Sequence, residues 1–212
     1  MNLIKYLILL LSAAFMAAPG LYGQSYLKLL PVPDQTLRLY PEGQHSDTGL
    51  AGALGPGGSN GSTRPEETDN NGHISYVGDQ ARVDLYFPKK PNGQMIVVCP
   101  GGAYWVVSTH NEGGFVADWL LSKGISVAVV TYRLPYGHWE APSRDVQNVF
   151  RYCRHNAAKW GISQIGVMGY SAGGHLAGCA STMFNDTVTS PDFSVLSYPA
   201  ITFVGGVTHN DT

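Results

Sequence analysis

The sequence predicts an α/β fold, a mostly parallel sheet with helices on both faces, entered through an N-terminal antiparallel hairpin. Three observations carry this. From Met95 to Tyr198, short uncharged apolar runs alternate with longer amphipathic stretches, the pattern of buried parallel strands joined by helical crossovers. Gly124 and Gly161 close two of the helical stretches, where a left-handed stop is favoured. Finally, the apolar run Ile165–Tyr170 breaks at Ser171 into Gly174-His-Leu-Ala-Gly-Cys-Ala-Ser-Thr-Met, so a buried strand turns sharply into a helix of small residues. The chain has 212 residues, enough for one domain with a sizeable core. Its net charge of −2 and scattered Lys and Arg speak against nucleic acid or an anionic membrane surface as partner.

The N-terminus reads as a targeting segment. Asn2 and Lys5 precede the apolar run Tyr6–Ala18, the length of a signal-peptide core and short for a membrane span; Gly23-Gln24 is a plausible cleavage point. Residues 1–23 are therefore expected to be a signal peptide, giving a periplasmic or secreted protein without stable membrane association; a retained anchor is the alternative. No cysteine lies there for a lipid anchor.

Residues 24–72 form a loop-rich segment. Pro31 and Pro33 argue against a regular element before Tyr40, and Pro41–Asn71 is rich in Gly, Ser, Asn and Pro. Within it, Gly55-Pro-Gly-Gly-Ser-Asn-Gly61 lacks the Gly-Lys-Ser/Thr ending and the feeding strand of a phosphate loop and is read as linker. His45 and His73 are read as solvent-exposed and without a role.

Residues 73–212 form the α/β domain. His73–Val77 and Ala81–Phe87 alternate around Gly78-Asp79, a hairpin signal. Pro88–Gly93 is a turn and Met95–Cys99 a fully apolar strand. Gly113–Lys123 is an amphipathic helix with Phe115, Val116, Trp119 and Leu120 on its buried face. Ile125–Thr131 is a second buried strand and Tyr132–Pro142 an irregular loop. A helix then runs from Ser143, its predicted cap, to about Trp160, with Asp145 in its first turn and Val146, Val149, Phe150 and Cys153 buried. Phe193–Tyr198 is one more strand, followed by Pro199 and a polar end. Cys99, Cys153 and Cys179 read as small buried apolar residues rather than a disulfide framework, and their spacing suits no zinc site.

The chemistry begins at Gly169-Tyr-Ser-Ala-Gly173, a G-x-S-x-G in the strand–turn–helix context of a nucleophile elbow. The two glycines let strand and helix approach, and Ser171 would be held in strained backbone with its hydroxyl above the sheet. A serine needs donors for the oxyanion and a base for its proton. Gly101 and Gly102 follow the strand ending at Cys99, and their amides with that of Ala172 are the candidate oxyanion hole. Tyr104 and Trp105 lie next to it and are candidates for an acyl or sugar pocket. His110 and His138 are on loops of the same rim, as substrate contacts or plain surface histidines. Glu112 is read as a helix-start residue and Arg133–Asp145 as a bracing ion pair.

Pro100-Gly-Gly-Ala-Tyr104, Tyr132-Arg-Leu-Pro135, Asp145 and Gly169-Tyr-Ser-Ala-Gly-Gly-His175 together resemble the α/β-hydrolase serine esterases, in particular bacterial acetyl-xylan and feruloyl esterases and the hormone-sensitive-lipase-like branch. The resemblance covers about Arg82 to Thr212. Many relatives have His-Gly-Gly-Gly where this chain has Pro100-Gly-Gly-Ala103; proline there favours the exported carbohydrate esterases. The resemblance implies an α/β-hydrolase fold, an acyl-serine mechanism on a small ester or acylated carbohydrate, and no metal or cofactor. It also implies an acid and a histidine after the serine. Downstream of Ser171 lie only Asp186, Asp192, Asp211, His175 and His209. His175 sits on the elbow helix and reads as structural; Asp186 and Asp192 come too early in the fold; His209 as base would be an odd variant. The expectation is that the last strands, with the triad Asp and His, lie beyond Thr212, and that this chain alone has negligible esterase activity. Two other readings stay open: a prolyl-oligopeptidase-type peptidase, which shares the elbow, and a non-catalytic hydrolase-like module.

Overall fold

The parallel strands predicted from apolar runs all form, and they assemble into one twisted sheet. In the computed structural model, residues 30–40, 54–55, 58–59, 65–77, 80–135, 139–184 and 186–201 are described. All of them but Leu30 lie in a compact unit beginning at Pro31. The expected signal peptide, His45, Gly78-Asp79, His138, His209 and Asp211 lie outside the described residues.

The sheet has six strands. They are β1 (Gln35–Arg38), β6 (Arg82–Tyr86), β7 (Gln94–Cys99), β9 (Ser126–Thr131), β10 (Gln164–Tyr170) and β11 (Ser194–Ser197), in the order β1-β6-β9-β7-β10-β11. β6 is antiparallel to both β1 and β9, while β9, β7, β10 and β11 run parallel. Three helices connect them: α1 (Phe115–Ser122), α2 (Glu140–Trp160) and α3 (Ser171–Thr182).

The uncharged runs are explained by burial on both faces. Along β7, Met95, Val97 and Cys99 join the core that holds Val146, Val149 and Phe150 of α2 and Leu176 and Ala177 of α3. The alternate residues, Ile96 and Val98, join a second core with Ala117 and Leu120 of α1. Successive side chains of a strand point to opposite faces, so α1 covers one face and α2 and α3 the other. The chain leaves β7 toward β9 by α1 and leaves β10 toward β11 by α3, in opposite directions. Between β7 and β10 the strand order therefore reverses, and the crevice at their carboxyl ends is where α/β sheets build their sites.

Several local expectations are corrected. His73–Val77 and Ala81–Phe87 do carry strands, but they do not form a hairpin with each other. β5 (His73–Ser75) pairs with β4 (Glu67–Thr68) and β8 (Val107–Ser108) in a separate antiparallel sheet, whereas β6 joins the main sheet. Alternation marked both segments as half-buried strands without specifying their partners. A regular element does follow Pro33: β1 is a short, polar edge strand, a place where low apolar content is tolerated. In the predicted linker, β2 (Leu54–Gly55) pairs with β3 (Gly58–Ser59). His73 is half-buried and its Nδ1 lies 2.8 Å from Asp69 Oδ2, rather than being a solvated side chain.

The helices are corrected in phase and start. α1 is preceded by a π-helical turn, His110–Gly114. Gly113 there packs so closely that a Cβ would sit 2.8 Å from Val129 Cγ1. The buried positions become Ala117 and Leu120, while Phe115 and Trp119 face solvent at 39% and 56% exposure. α2 begins at Glu140, so Ser143 is inside it, and the residue before the helix, Trp139, makes no side-chain cap bond. Pro142 is tolerated because first-turn amides have no intrahelical acceptor to lose. Gly161 ends α2 at φ 67°, as its placement predicted.

The expected Arg133–Asp145 pair is buried and larger than a pair. Asp145 accepts the Arg133 backbone N–H at 2.7 Å and its Nη2 at 2.7 Å. Tyr40 donates its hydroxyl to Asp145, accepts from Arg133 Nη2 at 2.9 Å, and lies under the guanidinium, 4.4 Å from the ring centroid.

Candidate active site

β10 delivers the motif serine to the crevice. Tyr170 is still extended at φ −121° and ψ 135°; Ser171 flips to φ 51° and opens α3. A non-glycine residue there carries about 1–3 kcal/mol of strain, and the surroundings hold it in place. A Cβ at Gly169 would lie 2.1 Å from the Gly173 carbonyl oxygen, and one at Gly173 would lie 2.1 Å from that of Cys99. The glycines thus let α3 press on both its own strand and the end of β7. Among the described residues the Ser171 hydroxyl has no hydrogen-bond partner.

The register places Cys99 opposite Gly169, so the loop leaving β7 passes beside the serine. Gly101 is buried, and a Cβ on it would meet the Tyr170 carbonyl oxygen at 2.6 Å and Ser171 Cβ at 3.1 Å. Beyond it the backbone is left-handed at Gly102 (φ 130°), Ala103 (φ 54°) and Tyr104 (φ 60°). The Gly102 carbonyl accepts from Trp105 and Val106, closing the turn. From beneath, buried Tyr132 donates its hydroxyl to the Pro100 carbonyl at 2.6 Å.

Of the expected oxyanion donors, Gly101 is engaged elsewhere. Its N–H donates to Glu112 Oε2 at 2.6 Å. The amides of Gly102, Ala103 and Ala172 have no acceptor among the described residues. That of Ala172 belongs to the first turn of α3, where the helix leaves its amides open and its dipole favours negative charge. Glu112 does lie in the turn that starts α1, as read, but its carboxylate also reaches into the crevice. Its second oxygen accepts the Tyr198 hydroxyl at 2.7 Å, and the Tyr198 ring leans on Tyr170 at 5.9 Å. Tyr132 was legible only as part of a resembling motif, and its bond to Pro100, like the contacts of Tyr198 and Glu112, was not found from sequence, because each joins separate elements of the fold.

Tyr104 and Trp105 separate. Tyr104 lines a cavity of about 350 Å³ with Trp139, Pro142, His175, Leu176 and Cys179, whereas Trp105 is 75% exposed. The Tyr104 hydroxyl bonds His175 Nδ1 at 2.8 Å, and His175 Nε2 lies 3.6 Å from Cys179 Sγ. Burial holds the His175 pKa below the usual imidazole range, so the ring is neutral and Nδ1 can accept a hydrogen bond from the Tyr104 hydroxyl. His110 packs on Gly72, and its buried Nδ1 has no partner among the described residues. Asp186 pairs with Arg151. Asp192 pairs with Arg154 and accepts the Ile165 N–H, at the far end of β10 and about 20 Å from Ser171 by strand rise. None of the described histidines hydrogen-bonds Ser171. Cys99 and Cys153 are buried as expected, their thiols pushed up to about 12 by burial; Cys179 is half-buried. Among the described residues no three His, Cys, Asp or Glu side chains gather as a metal site.

Comparison with known proteins places this arrangement. The BD-FAE family matches residues 83–199. An acetylxylan esterase of Xylanibacter ruminicola is 42% identical over 132 residues, 61% of this chain and 27% of that protein. The endo-1,4-beta-xylanase B of Butyrivibrio fibrisolvens is 31% identical over 133 residues, 55% of this chain and 21% of that protein. Among solved structures, the acetyl ester-xyloside bifunctional hydrolase of Caldicellulosiruptor lactoaceticus superposes with a TM-score of 0.58 at 30% identity, covering 81% of this chain and 58% of that one. The chain thus spans about a quarter of these curated relatives. The family match runs from the second residue of β6 through β11, takes in the Ser171 turn and the loop after β7, and covers more than half of the sequence: this chain belongs to the BD-FAE family and has the α/β-hydrolase fold.

Proposed function

We propose that the chain carries the nucleophile and oxyanion hole of an exported serine ester hydrolase acting on acetyl or feruloyl esters of carbohydrate. The observation that carries this is Ser171, held at φ 51° at the carboxyl end of β10, beside a loop in which the Gly102 and Ala103 amides have no acceptor among the described residues. Its hydroxyl oxygen attacks the ester carbonyl. The carbonyl oxygen takes the negative charge and accepts from the amides of Gly102 and Ala172, a donor of this kind contributing about 2.7–4 kcal/mol in the transition state. The serine proton passes to a histidine base and from there to the departing sugar hydroxyl; water then releases the acid from the acyl-serine. Gly101 is not assigned as a donor, since Glu112 holds its amide. The base is not assigned to His175, which is bonded to Tyr104.

The carbohydrate substrate class rests on the names of the two most informative relatives, an acetylxylan esterase and an acetyl ester-xyloside hydrolase. Export rests on the Tyr6–Ala18 run. A fluorophosphonate is expected to label Ser171 in the full-length protein, with the adduct mapped by mass spectrometry. Ser171→Ala should abolish labelling and lower release of acetate from acetylated xylan, or of ferulate from feruloylated arabinoxylan, by at least about 1,000-fold. A folded protein that takes up no label and releases neither acid would sink the esterase reading.

A further inference from the structure

The Gly101 amide is already taken, and the group that takes it is an acid. Glu112 Oε2 takes the Gly101 N–H at 2.6 Å, while the Gly101 carbonyl accepts from Ser108 N–H at 3.0 Å. Gly101 has no side chain to restrict its φ and ψ, so these two bonds set its orientation from outside. A trans peptide points its C=O and N–H in opposite directions. With the Gly101 carbonyl drawn to Ser108, the N–H of the next residue, Gly102, is turned the other way and has no acceptor among the described residues. The same glycine lies against the nucleophile, its Cβ position 3.1 Å from Ser171 Cβ. Glu112 is itself braced: its other oxygen accepts from Tyr198 at 2.7 Å, and the π-helical turn that carries it packs Gly113 onto Val129. Single π turns of this kind recur at functional sites.

We propose that Glu112 is a positioning residue for ester hydrolysis: its carboxylate locks Gly101 so that the Gly102 amide is presented to the oxyanion formed at Ser171. The proposal rests on the reading of Ser171 as nucleophile. A carboxylate near a forming oxyanion opposes it by like charge, so the contribution of Glu112 is geometric, and a neutral acceptor of the same shape should serve. Gln meets both contacts, its carbonyl accepting from Gly101 and its amide donating to the Tyr198 oxygen.

The test uses full-length protein, an aryl acetate, and fluorophosphonate titration to count reactive sites. Glu112→Ala is expected to lower kcat per titrated site by roughly 100-fold, the scale of losing one oxyanion donor, with KM within about 3-fold. Glu112→Gln should recover kcat to within about 3-fold of the parent. Tyr198→Phe, at an exposed position that tolerates truncation, should lower kcat by roughly 3- to 10-fold by freeing one carboxylate oxygen. A purely structural Glu112 would instead lower the titrated fraction and leave kcat per site unchanged, which overturns the proposal. Should Glu112→Ala fail to fold, Tyr198→Phe at the parental kcat overturns it. Labelled parent protein with unaffected variants rejects Glu112 alone; unlabelled parent protein rejects the serine reading and this proposal with it.

Discussion

At Ser171 the sequence stores strain, and at His175, one helical turn on, it stores a neutral imidazole. Burial lowers the His175 pKa, and its ring sits between the Tyr104 hydroxyl and the Cys179 sulfur. In the unfolded chain an imidazole takes a proton near pH 6.5; in the fold it does so only at lower pH. Between those two values the unfolded state binds more protons, so stability rises with pH. The contribution of neutral His175 is complete above about pH 6.5 and declines as pH falls below it. Asp192 is held below the ordinary carboxylate range by Arg154, and Asp186 by the Thr189 amide and then Arg151; what they contribute is lost only under stronger acid, below the usual carboxylate value of about 3.9. The urea midpoint should therefore fall between pH 7 and pH 5 less steeply in His175→Gln than in the parent. Equal slopes would show that His175 is not the group responsible.

Among the elements, α2 carries the most consequential buried charge. Asp145 lies in its early turns, fully buried, facing Arg133 on the segment after β9 and Tyr40 after β1. The three join the antiparallel edge, the parallel centre and the helix layer at one point. Removing one member of such a pair leaves the other charge uncompensated, typically at a cost of about 3–5 kcal/mol. Asp145→Ala is expected to show that loss in urea unfolding, and Arg133→Met with Asp145→Leu a smaller one; a single variant within 1 kcal/mol of the parent would contradict the network. Asp145 and Arg133 were legible in the sequence as a pair, whereas Tyr40 was not, because its proline-rich surroundings gave no sign of β1. The same physics divides the rest. β7, β9 and β10 were readable because strands buried on both faces must be apolar throughout. β4, β5 and β8 are two or three residues long, and no local signal chooses their partners. The buried stripe of α1 was misplaced because Gly113 and Ala117, which lie on it, are small, whereas the large Phe115 and Trp119 beside it face solvent. The strand–turn–helix at Ser171 was readable because its small residues are adjacent in the chain, although Gly173 is required by the Cys99 carbonyl on β7 as well as by the turn itself. Glu112 was not, since its partners are 11 and 86 residues away.

Taken as a whole, the sheet has two unlike edges, and they behave differently toward other chains. β1 is short, mostly exposed and polar, with Thr36 bonded across to Asp84; such an edge offers little apolar surface to a second strand. β11 is the other outer strand among the described residues. Its Val195 and Leu196 point to opposite faces and are 40% and 39% exposed. Unpaired backbone flanked by apolar side chains is a template for strand addition, and such surfaces associate at micromolar to millimolar concentrations. The 212-residue chain is therefore expected to self-associate through β11 at concentrations on the order of 10 µM and above. Sedimentation velocity across roughly 1–100 µM should reveal this as a rising weight-average mass. Val195→Lys combined with Leu196→Lys places charge on both sides of the strand and should hold the chain monomeric over that range, because two lysines resist burial in a new strand pair. Phe115 and Trp119 of α1 are the competing apolar surface. Association that persists in the double lysine variant and disappears in Trp119→Lys would assign the contact to α1 and reject the β11 edge.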